Sequence, residues 1–124
     1  MDFFRINDTK KVGDKMYIYK NENTIRFRDG LTVMITHRQI LYHEVEIPTT
    51  KKEFDVLLYF AGQPGRVFTK DQILQTAGSE DPQDEDNAVR CLIAGIRKKL
   101  RKYTNKEYIQ TVRGVGYRFV IPEE

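Results

Sequence analysis

One cysteine, Cys91, in 124 residues excludes an internal disulfide and a cysteine-rich zinc site. His37 and His43 come without an apparent third ligand, so no metal is expected. No apolar run approaches the roughly 20 residues of a membrane-spanning helix, and the opening MDFFRINDTKK lacks the apolar stretch of a signal peptide. A cytoplasmic protein without a membrane partner is the expectation. There is no internal repeat or low-complexity block, and no Ser/His/Asp set, paired-carboxylate pocket or phosphate-binding loop. These absences argue against an enzyme and against a bound cofactor.

What the chain does have is an uneven distribution of charge. The formal net charge is +3, but between Asn87 and Arg118 nine basic residues face the single acid Glu107, a net of +8, which leaves −5 for the rest. A basic segment on an otherwise acidic body suits a polyanion-binding face; the alternative is a solvated charged helix. At this length and 40% hydrophobic content, one modest core and one domain are expected.

The first third reads as short strands over residues 24–28, 31–36, 39–42 and 45–47, rich in β-branched and aromatic residues and separated by Asp29-Gly30, His37-Arg38 and His43-Glu44. A further stretch, residues 16–19, offers an extra edge strand, and residues 1–23 form a linker or arm ahead of a domain over 24–124. Beyond Pro48 the apolar period lengthens. Thr50 with Glu53 is a capping-box signature, followed by Phe54, Leu57, Leu58 and Ala61 on one helical face, with Gly62 and Pro64-Gly65 as the stop. Thr69 with Gln72 opens a second, two-turn helix ending at Gly78.

The segment SEDPQDED, residues 79–86, is an acidic loop. A third helix is expected over residues 87–103, with a core stripe of Val89, Ile93, Ile96 and Leu100 and an opposite face carrying Arg90, Ala94, Arg97 and Arg101. Two strands, 108–112 and 117–121, flank Arg113-Gly114-Val115-Gly116, whose glycines allow a tight hairpin tipped by an arginine. The expected fold class is α+β: a winged helix-turn-helix with an N-terminal four-stranded antiparallel sheet, three helices and a C-terminal β-hairpin wing.

Three segments, VEIPTTKKEFDVLLYFAGQPGRVFTKDQIL, AVRCLIAGIRKKL and YIQTVRGVGYRF, resemble the winged-helix effector domains of the OmpR/PhoB type found at the C-terminus of bacterial response regulators. The closing T-V-R-G-x-G-Y-R-F is the most diagnostic. The resemblance implies transcription regulation by sequence-specific binding to double-stranded DNA, with positions matching Asn87, Leu92, Ala94, Gly95 and Arg97 on the recognition helix and Thr111 and Arg113 at the wing as contacts. Arg90, in the first helical turn, joins them; Lys98 and Arg101 suit phosphates or simple solvation. The resemblance further implies a tandem homodimer on direct repeats and an RNA polymerase contact through the acidic loop at Glu80, Asp81, Asp84 and Glu85.

The sequence departs from that pattern in two ways. Asn87, Leu92, Ala94 and Gly95 stand where arginine, histidine or another long polar side chain is usual, and Arg90 where an acid is usual. This leaves open a protein-interaction winged helix that docks on RNA polymerase or another regulator and binds DNA only nonspecifically. The receiver domain of a full response regulator is also missing, so the chain is either an effector half or a receiver-free regulator.

Overall fold

In the computed structural model, which describes residues 17–78 and 85–122, apolar residues line up across neighbouring strands. β1 (Tyr17–Lys20), β2 (Thr24–Phe27), β3 (Leu31–Met34), β4 (Gln39–Tyr42) and β5 (Val45–Ile47) form one antiparallel sheet in sequence order. The register pairs Ile25 with Val33, Val33 with Ile40 and Ile40 with Ile47, so four buried β-branched side chains cross the sheet in one row. Slipping any strand by one residue would expose its share of that row. The sheet thus has five strands. The four expected ones are joined by β1, the edge strand offered by residues 16–19, here at Tyr17–Lys20.

α1 (Lys51–Gly62) begins at the anticipated capping box: the Glu53 N–H donates to Thr50 Oγ1 at 3.2 Å, and the Thr50 N–H donates to Glu53 Oε1 at 2.9 Å. Its buried face differs from the expected stripe. Phe54, Leu57 and Ala61 are buried, but so are Val56 and Phe60, while Leu58 is only half-buried. The reason is that α1 is covered on more than one side. Phe60 stacks on Phe68 with ring centroids 5.6 Å apart, and Tyr59 meets the same ring at a tilt with centroids 4.4 Å apart.

Phe68 belongs to β6 (Val67–Thr69), a strand the sequence pattern does not announce. Three residues are too short to show a period, and the partner lies nearly fifty positions away: Phe68 pairs with Tyr117. α2 (Lys70–Ala77) starts from the Thr69–Gln72 capping box and ends at Gly78, whose φ is +74°. α3 (Glu85–Arg101) is shifted two residues toward the N-terminus from the expected span, taking in Glu85 and Asp86. Lys98, Lys99 and Arg101 in its last turn suit the helix dipole. Val89, Ile93, Ile96 and Leu100 are all buried, as their spacing requires.

β7 (Ile109–Val112) and β8 (Gly116–Phe119) form the hairpin, and β6 adds to it in the order β6-β8-β7. Phe119 joins the two sheets through a ring contact with Phe27 at 5.5 Å, and its ring also stacks on Tyr108 at 6.0 Å, just ahead of β7. The Tyr108 hydroxyl also donates to the buried carboxylate of Asp29, whose other oxygen accepts the Leu31 N–H. Burial first, and then the Asp29 hydrogen bond and charge, push the Tyr108 phenol well above its ordinary ionisation range. The segment entering the wing is thereby anchored to the β2–β3 turn.

Candidate nucleic-acid interface

An α-helix that buries Val89, Ile93, Ile96 and Leu100 must present the opposite face outward, and on α3 that face carries Asn87, Arg90, Ala94, Lys98 and Arg101, all exposed. Seventeen residues make a rod about 25 Å long, and the stripe runs along nearly all of it. Arg101 lies 2.9 Å from Glu107, with both side chains more than half exposed. Such a pair is worth little in water and yields readily to a phosphate. Lys70 bridges Asp86 at 3.1 Å and ties the start of α2 to the first turn of α3.

Arg97, expected on the outward face, turns aside. It is half-buried, and its Nη2 donates to the Ile109 carbonyl at 2.8 Å and to Thr111 Oγ1 at 3.1 Å. The guanidinium lies 5.9 Å from the centre of the buried Tyr117 ring, and its Nε is buried without a hydrogen-bond partner. Arg97 therefore clamps the wing to the helix. Thr111 is exposed and shares that clamp, with one side of its hydroxyl committed to Arg97. Sequence spacing places Arg97 correctly on the helix but carries no information about a strand fourteen residues later.

The wing tip is built by two glycines with different tasks. Gly114 has φ +78°, the left-handed region a tight turn needs, and the Val115 N–H donates to the Val112 carbonyl at 2.9 Å. Gly116 has ordinary φ but sits against β6: a Cβ there would lie 1.9 Å from the Phe68 carbonyl oxygen. The expected positive-φ pair is thus one turn glycine and one close-approach glycine. Arg113 is exposed at the tip, and on β8 Arg118 donates to Gln110 Oε1 at 2.8 Å.

Of Leu92, Ala94 and Gly95, two do not lie on the exposed face. Leu92 is half-buried against the core. Gly95 faces α1: its Cβ would lie 2.9 Å from Glu53 Oε2. Glu53 Oε1 in turn accepts Lys99 Nζ at 2.6 Å, in a pair that is 9% exposed on the acid and 35% on the lysine. Burial by itself would raise the Glu53 carboxyl, but the Lys99 hydrogen bond, the Thr50 backbone N–H and the Lys99 charge outweigh it and hold the group below its usual range. Gly95 is small because α3 packs on that carboxylate. Of the three positions, only Ala94 is exposed.

Of the acidic-loop residues, Glu80, Asp81 and Asp84 lie outside the described residues, and Glu85 is the first residue of α3. Cys91 is exposed on α3. His43 packs edge-on against Tyr42, with ring centroids 4.4 Å apart. Among the described residues no three His, Cys, Asp or Glu side chains group as metal ligands, and no helix is long and apolar enough to cross a membrane.

Residues 44–119 match the family described as "Transcriptional regulatory protein, C terminal". The response regulator SaeR of Staphylococcus epidermidis is 36% identical over 92 residues, which cover 73% of this chain and 40% of SaeR. The uncharacterized transcriptional regulatory protein YkoG of Bacillus subtilis is 38% identical over 89 residues, covering 72% of this chain and 39% of YkoG. This chain spans about two fifths of the length of these curated relatives. The DNA-binding domain of Klebsiella pneumoniae RstA, crystallised with the RstA box, superposes with a TM-score of 0.63 at 28% identity, covering 73% of this chain and 91% of that one. Helix, wing and matched segment coincide, and the chain belongs to the OmpR/PhoB-type family of C-terminal domains of transcriptional regulatory proteins.

Proposed function

We propose that this chain binds double-stranded DNA in a sequence-specific manner as part of a bacterial transcription regulator, with α3 in the major groove and the β7–β8 wing at the adjoining minor groove. The observation that carries the reading is the Arg97 clamp, which joins an exposed cationic helix stripe and an arginine-tipped hairpin into one unit. A helix of this width fits the major groove, where base edges are distinguishable, and a flanking hairpin reaches phosphates or the minor groove. Asn87, Arg90 and Ala94 face the bases in this reading, Lys98 and Arg101 the phosphates, and Arg113 the minor groove. Arg97 and Thr111 hold the two halves in place and touch the backbone of the DNA at most.

The cytoplasm is the location this function implies. The protein acts by binding, without catalysis. Recognition of direct repeats by two copies, with half-sites about one helical turn apart, belongs to the same proposal. So does a polymerase contact through Glu80, Asp81, Asp84 and Glu85; alanine at all four positions should abolish activation and spare DNA affinity. The rival reading, a module that only docks on proteins, drew on Leu92, Ala94 and Gly95 as an altered face. Two of those three are packed inward.

Selection from a random duplex library at near-physiological salt tests the proposal. An enriched motif bound with a steep salt dependence is expected, and Arg113→Ala should lower the log–log salt slope by about 0.9 for each phosphate that it leaves without a neutralising charge. Retention without any enriched motif would refute sequence-specific readout.

A further inference from the structure

Val115 and Val45 are the two large hydrophobic side chains left exposed among the described residues, at 48% and 55%. Val45 lies on the outer strand of the N-terminal sheet, whereas Val115 sits at the wing tip, two residues from Arg113. An isolated surface valine needs no explanation. The backbone on both sides of this one is fixed by contacts: its own N–H closes the turn onto Val112, Gly114 supplies the positive φ, and Gly116, the next residue, sits against the Phe68 carbonyl. The Arg97 bonds to Ile109 and Thr111 then fix the hairpin to α3. A β-branched side chain on such a support has little rotamer freedom to give up when it meets a partner.

We infer that Val115 is a specificity-determining residue, an apolar probe that the wing presses against the floor of the minor groove and that rejects G·C pairs there. This rests on the DNA-binding reading above. A·T and T·A pairs line the minor-groove floor with acceptors alone, while every G·C pair adds the guanine 2-amino donor. Arg113 beside it supplies charge and so holds the tip at the groove. The isopropyl group of Val115 has no acceptor, so covering a guanine amino group strips that donor of water and returns no hydrogen bond. Arg113 favours narrow A·T-rich grooves by shape and potential; Val115 adds a discrimination that depends on one exocyclic amine.

The test uses the duplex motif enriched by the unaltered protein. Base pairs beneath the wing are those whose minor groove is protected from hydroxyl-radical cleavage by the unaltered protein and becomes cleavable with Arg113→Ala. At those pairs, affinity is measured for A·T, G·C and inosine·C, the last lacking the 2-amino group. The unaltered protein should bind A·T about tenfold more tightly than G·C, the size of an ordinary single-pair mismatch effect, and inosine·C should recover most of that difference. Val115→Thr keeps the shape and adds a hydroxyl that accepts from the guanine amino group, while it can donate to the acceptors that both kinds of pair carry; it should cut the A·T to G·C ratio to about twofold. Val115→Ala, which withdraws the side chain from the groove floor, should also relax the ratio. An unchanged ratio in both variants overturns the inference and leaves the DNA-binding reading intact. Failure of the unaltered protein to enrich any motif overturns both.

Discussion

Arg97→Ala separates a clamp from an ordinary DNA contact because the two roles make opposite demands on stability. The substitution removes a charge-assisted bond of 2.8 Å to the Ile109 carbonyl and a bond of 3.1 Å to the exposed Thr111 hydroxyl. A hydrogen bond from a charged group contributes about 1.5–3 kcal/mol where it is shielded from water; the Thr111 bond has the same charged donor but lies exposed, where solvent screening leaves about 0.5 kcal/mol. The ring contact at 5.9 Å adds a few tenths at most, and removing the unpaired buried Nε gives something back. A net destabilisation of about 2 kcal/mol follows, or roughly 10 °C in Tm for a domain of this size. Urea unfolding followed by circular dichroism measures it, with DNA affinity read by anisotropy below the transition. Arg97→Lys, which reaches one acceptor at a time, should fall between. A change under about 0.5 kcal/mol, typical of a surface site, together with a large drop in DNA affinity would refute the clamp and return Arg97 to the recognition face.

Gly116→Ala places a methyl 1.9 Å from the Phe68 carbonyl oxygen and must break the β6–β8 pairing or prevent folding. A soluble variant with the original Tm would contradict the close approach. Glu53→Gln keeps the capping box, which tolerates glutamine, but removes the charge facing Lys99. The folded Glu53 carboxyl sits below its ordinary 4.5, so its contribution is full above that value and disappears as pH falls through the folded value. The variant should be about 1–2 kcal/mol less stable at pH 7 and lose that deficit as pH falls through the folded carboxyl's value, below 4.5. A deficit that stays constant with pH would show that the charge contributes nothing.

How much was legible in the sequence differs from element to element. The capping boxes at Thr50 and Thr69 act within three residues, so their signals survive in the linear chain and both helices start where expected. The α3 core stripe is equally local, because a helix repeats its faces every few residues. β6 was invisible: a three-residue strand exists only because β8 returns to pair with it. The breadth of the α1 buried face was hidden for a related reason, since Phe60 is buried by Phe68, which that same pairing brings over α1. In the candidate site, Asn87, Arg90, Ala94, Lys98, Arg101 and Arg113 lie exposed as their spacing suggests, while Arg97 and Thr111 engage each other.

The sequence by itself determined where α1 and α2 begin, which stripe of α3 goes inward, where the hairpin turns, and that positive charge gathers in the last third. Each of these is set by interactions within a few residues or by composition. Only the tertiary structure decided which outward residues remain available. Gly95 is occupied by Glu53, more than forty positions away, and Arg97 is drawn to a strand that approaches α3 only after the chain has turned back. A side chain's periodicity states which way it leaves its helix; what it meets depends on packing between elements that the linear order keeps apart.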